Sequence, residues 1–450
     1  MNSGKRFLGL AIAVVVLGGL CGVLYWSNHR KASPDGSVVK ADAAPVILND
    51  APASITTLTI KPKSEPAVTL VKEGSDTWRI TAPKAMAADQ DSVTGLLAYL
   101  SPLKAERVVG DNVSNLGAFG LAQPAVELDI TEKNHAAQKL LLGDDTPTGD
   151  SAYAMVEGDP RVFTTLSYNK AGLNKGLESL RDKRLMNLTL DTIHQIDLRH
   201  GGEALEFLHK GTDWQIENPG PYRADPMAAG TLADTLSTAQ MNLNQPTSQA
   251  ADAAFASGSP VATVDVTGPR GKQTLEVKKD KDNYYAKSSY AQGIYQVDAS
   301  LATELTKKLE DFRDKSVFDF RYNDPNEVDL EIEGQKPGSA AKSWYLARNG
   351  EDWWQNGKKM DADSCEAVVS ALRSLTATKF QPSGFTTPAI TATVRSNGGA
   401  RVEKVSIAKA GKEYLAKRQD EPTVYVLDAG AVEGLERAAN GIHPAAAAKK

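Results

Sequence analysis

Few residues in this chain are of the types that carry out chemistry, and they are scattered. The six histidines are His29, His135, His194, His200, His209 and His443. No two stand at His-x-x-x-His spacing, and no Cys-x-x-Cys occurs, so no metal site is expected. His194, His200 and His209 fall on one hairpin, and His194 and His200 could share a strand face. A satisfied edge histidine is the better reading, because nothing equivalent recurs elsewhere in the chain. Glu127, Asp129 and Asp265 alternate with apolar residues, which reads as outward carboxylates on a solvated sheet face, not as paired catalytic acids. No Gly-x-x-x-x-Gly-Lys-Ser/Thr phosphate loop and no Gly-x-Ser-x-Gly elbow is present. Enzymatic activity and a bound cofactor are therefore not expected.

The aromatics are more suggestive. Trp78-Arg79-Ile80 and Trp214-Gln215-Ile216 alternate apolar and polar residues, which puts both rings on the buried face of a strand. Trp353-Trp354 must point one ring to each face. Its outward member, with Tyr345 nearby, is the candidate for contact with a ligand or partner.

The elements that position these residues repeat. Asp89, Asp225 and Asp361 lie 136 residues apart. Apolar side chains follow each one at +4, +7, +8 and +11: Val93, Leu96, Leu97 and Leu100; Ala229, Leu232, Ala233 and Leu236; Cys365, Val368, Val369 and Leu372. This spacing is one face of an α-helix, and each Asp is placed to cap it. Cys365 sits at a core position of that ladder, which predicts a small buried hydrophobe. Upstream of each helix, glycine turns and alternating apolar residues predict hairpins, Gly201-Gly202 being the clearest. Downstream, strands open at Pro124, Pro260 and Pro388. A closing helix carries Leu173, Leu177 and Leu180, and then Leu301, Leu305, Leu309 and Phe312. Both end in Arg-Asp-Lys, at Arg181-Asp182-Lys183 and Arg313-Asp314-Lys315. The motif appears where another copy follows, so it is expected to form an ion-paired joint between copies.

The expected class is α+β, with three tandem copies of one α/β unit, each a mainly antiparallel sheet packed by two helices. The boundaries are an anchor at 1–26, a flexible tether at 27–52, copies at 53–190, 191–322 and 323–444, and a tail at 445–450. A net charge of −5 with a pI near 5.8 offers no general attraction to nucleic acid, which is not an expected partner. Phe7 to Trp26 is free of charged residues and long enough to span a bilayer as a helix. Lys5 and Arg6 precede it, while Arg30 and Lys31 follow, so flanking charge does not fix its orientation. An uncleaved, single-pass signal anchor with the body outside the cytoplasm is the preferred reading. A cleaved signal peptide lacks a clear small-x-small site here. A lipoprotein signal at Gly18-Gly19-Leu20-Cys21 is disfavoured by the bulk of Leu20.

Five stretches carry a resemblance to a known bacterial family. They are Trp78-Arg-Ile-Thr-Ala-Pro, Phe119-Gly-Leu-Ala-Gln-Pro-Ala-Val-Glu-Leu, Leu142-Gly143-Asp144, Tyr153 and Arg181-Asp-Lys. Together they resemble domain of unknown function 4340 over roughly residues 53 to 320, with the third copy fainter. Proteins of this kind are typically membrane-anchored and often encoded beside ABC-type transport permeases. The resemblance implies a bacterial inner-membrane location with the body in the periplasm, and a membrane-protein partner such as a permease. It supplies no catalytic residues. The expected function is a protein-binding scaffold, an accessory subunit of a transport complex, anchored through residues 7–26. The alternative is a module that binds an envelope polysaccharide or small ligand.

Overall fold

The computed structural model describes residues 45–49, 51–133, 135–243, 248–320, 325–334 and 340–446. The expected anchor at 7–26 lies outside them, and among the described residues no helix is long and apolar enough to cross a membrane. The chain divides into two compact units, Met1–Asp182 and Lys183–Lys450.

The fold is α+β, and its sheets are antiparallel throughout the described residues. There are four sheets among those residues, not three. The extra one is a two-stranded ribbon in which Val46–Leu48 pairs with Leu103–Lys104. Residues 46–48 therefore depart from the expected tether, because Ile47 and Leu48 are buried in the first core.

The three large sheets share one strand order. In the first unit it runs Met86–Ala87, Thr77–Ala82, Val68–Glu73, Ile55–Pro62, Val126–Glu132, Gln138–Asp145, Ser151–Val156, Val162–Leu166 and Arg107–Gly110. The second sheet runs from Tyr222–Arg223 through Gln195–His200 and Ser259–Gly268 to Ile294–Val297. The third runs from Lys358–Lys359 through Glu327–Ile332 and Ile390–Ser396 to Val424–Leu427 and Ala377–Gln381. Where the other sheets carry a ninth strand, the second has a single bridge from Asn242 to Gln296. The tight turn between Gln195–His200 and Glu203–Lys210 is made by Gly201 and Gly202, both at positive φ.

The capped helices are Gln90–Leu100, Pro226–Thr238 and Ala362–Arg373, and every ladder residue named above is buried. Asp89 accepts from the Ser92 N–H at 2.7 Å, Asp225 from Met227 and Ala228 at 2.9 Å, and Asp361 from Ser364 at 2.9 Å. Each cap is also held from behind. The amides of Asp89, Asp225 and Asp361 donate to the carbonyls of Leu180, Phe312 and His443 at 2.8, 2.7 and 2.9 Å. His443-Pro444-Ala445 thus fills, in the third sheet, the place that Phe312-Arg313-Asp314 fills in the second.

The closing helices are interrupted. In the first unit they are Ser167–Leu173 and Leu177–Leu180, in the second Ala299–Leu305 and Leu309–Phe312. Asn174 and Gly176 are poor helix formers and leave helical geometry. Thr306 caps the next break, and the Asp311 carboxylate accepts from the Lys308 amide at 2.9 Å to restart the helix. The second sheet also carries an unexpected helix, Ser248–Ser257, whose Ala251 and Phe255 pack with Tyr285.

Candidate functional site

The densest constellation of charged side chains lies where the second sheet meets the third. Arg223 stands two residues before the Asp225 cap, and its carbonyl accepts from the Asp314 amide at 2.9 Å. Its guanidinium donates to Glu421 at 2.5 Å, to Asp314 at 2.9 Å, to the Tyr425 hydroxyl at 3.2 Å and to the Ser316 carbonyl. Tyr425 donates in turn to Glu421 at 2.8 Å. Arg418, only 3% exposed, donates to the Val317 carbonyl at 2.7 Å and to Glu403 at 3.1 Å, and pairs with Asp420 and Glu421. Glu403 also accepts from Arg401 at 3.1 Å and from the Asp319 amide at 2.6 Å. Arg401 continues the network to Asp319.

Arg313 closes the seam by stacking. Its guanidinium carbon lies 4.1 Å from the Tyr222 ring centre and 3.6 Å from that of Phe380, and it donates to the Thr423 hydroxyl at 2.7 Å. Burial opposes the Arg223 charge, but Tyr425, Asp314 and Glu421 outweigh it and raise the pKa above the ordinary guanidinium value. Burial raises the Tyr425 phenol as well, against the lowering effect of Arg223. Asp314, Glu403 and Glu421 are each engaged by cations, hydroxyls or amides, so the seam is a connected polar network.

The Arg-Asp-Lys residues take different places. Arg313 and Asp314 are buried in the seam, while Lys315 is exposed and contributes its carbonyl to the Ala377 amide at 2.8 Å. In the first unit Arg181 bridges to Ala88 and lies 3.7 Å from Glu178, and buried Asp182 donates its amide to Ala87 at 3.0 Å. Lys183 belongs to the second unit, where its carbonyl accepts from Met241 at 2.9 Å.

Reading the sequence did not single out Arg223, Glu403, Arg418, Glu421 or Tyr425. One signal was available. Glu403 shares the parity of Val405 and Ile407, and Arg418 that of Tyr414 and Ala416, which places charged residues at inward positions.

The tryptophan pair splits as its spacing requires. Trp353 is 1% exposed in the third core, and its indole N–H donates to Glu366 at 3.0 Å. Trp354 faces outward opposite Ala347, and its indole N–H is buried with no hydrogen-bond partner. Tyr345, two residues before Ala347 on the same face, is 45% exposed. Partial burial and the neighbouring Glu327 carboxylate raise the Tyr345 phenol.

Other candidate groups resolve into structure. Trp78 is buried, whereas Trp214 is half-buried and stacks on His209 with ring centres 4.7 Å apart. His194 is exposed and His200 buried, so the two do not form a pair, and no metal-binding cluster exists among the described residues. Burial pushes the Cys365 thiol up to about 11, which keeps it protonated and unreactive. Asp265 departs from the expected solvated carboxylate. It is 4% exposed, covered by Arg199 at 2.6 Å, Lys272 at 2.8 Å and the Thr274 hydroxyl at 2.6 Å. Burial alone would raise it, but hydrogen bonds from Lys272, Thr274 and Arg199 hold it at about 2.

Three of the stretches that carried the family resemblance, those of Phe119, Gly143 and Tyr153, come together. Phe119 ends a 3-10 turn over the outer face of the first sheet and packs edge-on against Tyr153, 4.8 Å between ring centres. A Cβ at Gly143 would lie 2.1 Å from the Phe119 carbonyl, so only glycine fits beneath that turn. Lys278 and Ala408 occupy the matching position in the other sheets, Lys278 lying 4.6 Å from the Phe255 ring and Ala408 being fully buried. The family described as "Domain of unknown function (DUF4340)" matches residues 78–213 and again 214–395, well over half of the chain. The chain belongs to the DUF4340 family. The two DUF4340 matches begin at Trp78 and Trp214, in equivalent strands, and the second extends into the third sheet as far as Arg395. No curated protein and no solved structure matches the chain. Within this DUF4340 chain the Phe119–Gly143–Tyr153 signature is accounted for by close packing.

Proposed function

We propose that this protein is a membrane-anchored scaffold that binds partner proteins outside the cytoplasm. In this reading residues 7–26 form a single-pass inner-membrane anchor, and the three sheets of matching order are tandem copies of one unit. The observation that supports it is the ionic seam. Arg223, Asp314, Glu421 and Arg418 join two sheets through largely buried charge pairs, and removing one member would take a counter-charge from another. Such a junction suits a body that must hold two surfaces in fixed register for a partner. The resemblance to proteins encoded beside ABC-type permeases makes a transport permease the favoured partner, with this chain as an accessory subunit.

Affinity purification of the full-length chain from native membranes in mild detergent, followed by mass spectrometry, tests the proposal. The expected result is a membrane protein recovered in stoichiometric amount. Recovery of this chain alone would contradict it.

A further inference from the structure

The outer face of the third sheet differs from its two counterparts at equivalent positions. Aligning Leu58, Ile196 and Val328 through their cross-strand partners Leu70, Phe207 and Leu346 brings Thr69, Glu206 and Tyr345 into correspondence. The next strand brings Arg79, Gln215 and Trp354 into correspondence. Two sheets therefore present polar side chains where the third presents two aromatic rings. Tyr345 and Trp354 are diagonal neighbours, roughly 7 Å apart on an antiparallel sheet. Around them stand Glu327 and Arg395, paired at 3.2 Å, and Lys359 and Asp352, paired at 2.8 Å. Asp329 lies directly beside Tyr345, and Thr393 follows beyond it in the same row.

We propose that Tyr345 and Trp354 form a binding platform for the pyranose rings of a neutral glycan. A pyranose has an apolar C–H face that suits an aromatic ring, and a rim of hydroxyls that both donate and accept. The patch matches that chemistry: two aromatic side chains at the centre, with carboxylates, a guanidinium and a hydroxyl at the rim. The charges within the Glu327–Arg395 and Lys359–Asp352 pairs neutralise each other, and the exposed Asp329 carboxylate beside Tyr345 selects against an anionic ligand. A peptide adding as a strand is disfavoured, because the neighbouring sheet edge is the short, exposed Lys358–Lys359 segment. This inference does not depend on the scaffold proposal.

The test is a tryptophan-fluorescence titration of the full-length chain, in a detergent without a sugar headgroup. The probes are tetrasaccharides of β-1,4-linked N-acetylglucosamine and of β-1,4-linked glucose. Saturable binding to at least one is expected, weakened at least tenfold by Tyr345→Ala and less than threefold by Tyr345→Phe. Arg79→Ala, at the position in the first sheet equivalent to Trp354, should leave affinity unchanged. Because Tyr345 is exposed, its replacement by Ala should not disturb folding. Binding to neither probe, or binding indifferent to Tyr345→Ala, would overturn the inference. So would Tyr345-dependent binding of a proline decamer in place of both sugars. Partner recovery from membranes is a separate readout that the glycan result leaves untouched.

Discussion

Beneath the large sheets the interior is built from the same apolar pairings, Leu58 on Leu70, Ile196 on Phe207 and Val328 on Leu346. Where the second sheet meets the third, the buried space holds Asp314, Glu403, Arg418 and Glu421 instead, with the half-buried Arg223 pairing to two of them. The apolar pairs tolerate exchange of one hydrophobe for another, so equivalent positions need only agree in size and polarity. The charged seam tolerates no partial change, because each group is balanced by named partners. The first kind of interior defines a fold that can be built three times. The second ties two sheets to each other in particular.

The position of Arg223 shows how little separates the two. Ala87, Arg223 and Lys359 are equivalent, each lying two residues before a capping Asp, and each accepts a backbone amide at its carbonyl, from Asp182, Asp314 and Ala445 respectively. Only Arg223 combines a half-buried guanidinium with the Asp314 carboxylate opposite. The largest effect is accordingly expected from Arg223→Ala. Removing the Arg223 counter-charge from Asp314 and Glu421 should cost about 3–5 kcal/mol of stability in the second unit, read by chemical denaturation. A loss below about 1 kcal/mol would place the seam among ordinary surface pairs.

Gly143→Ala probes the outer face, where Ala408 occupies the corresponding position in the third sheet. The added methyl meets the Phe119 carbonyl, so a loss of about 1–3 kcal/mol is expected in the first unit. A neutral result would mean that the 3-10 turn moves aside at little cost.

Asp265 gives an acid-dependent contrast. Its pKa in the folded chain lies below the ordinary value of 3.8, so its contribution is complete above about pH 4 and is lost as pH falls towards 2. That contribution is about 2 kcal/mol. Asp265→Asn should therefore flatten the stability-versus-pH curve in this window, and an unchanged curve would remove Asp265 from the account. The smallest effect is expected from Asp89→Ala, Asp225→Ala and Asp361→Ala, about 1 kcal/mol each in melting experiments. Unequal losses would show that the three caps are not equivalent in strength.

The repeated framework was legible in the sequence because its signals are local. A capping Asp and an apolar ladder lie within one helix, and Gly201-Gly202 is contained in one turn. The closing helices were read as continuous because apolar spacing runs on through Asn174-Lys175-Gly176 and Thr306-Lys307-Lys308, where backbone preference ends the helix. The seam was harder to read because its partners come from strands far apart in the chain. Arg223 and Glu421 meet across 198 residues of chain. Of the two Arg-Asp-Lys motifs, the second places Arg313 and Asp314 in the seam, but the motif contains neither Arg223 nor the carboxylates of the third sheet. Asp265 was misjudged because parity showed the face it occupies and not the Arg199 and Lys272 side chains that fold over it.

The most direct test of the seam is native-state hydrogen exchange on the full-length chain and on its Arg223→Ala variant. The amides of Gln195–His200 in the second sheet and Glu327–Ile332 in the third are the reporters. If the seam couples the two sheets, both sets open with the same free energy in the parent chain and separate into two classes in the variant. Two classes already present in the parent, or a variant whose classes stay together, would contradict that coupling.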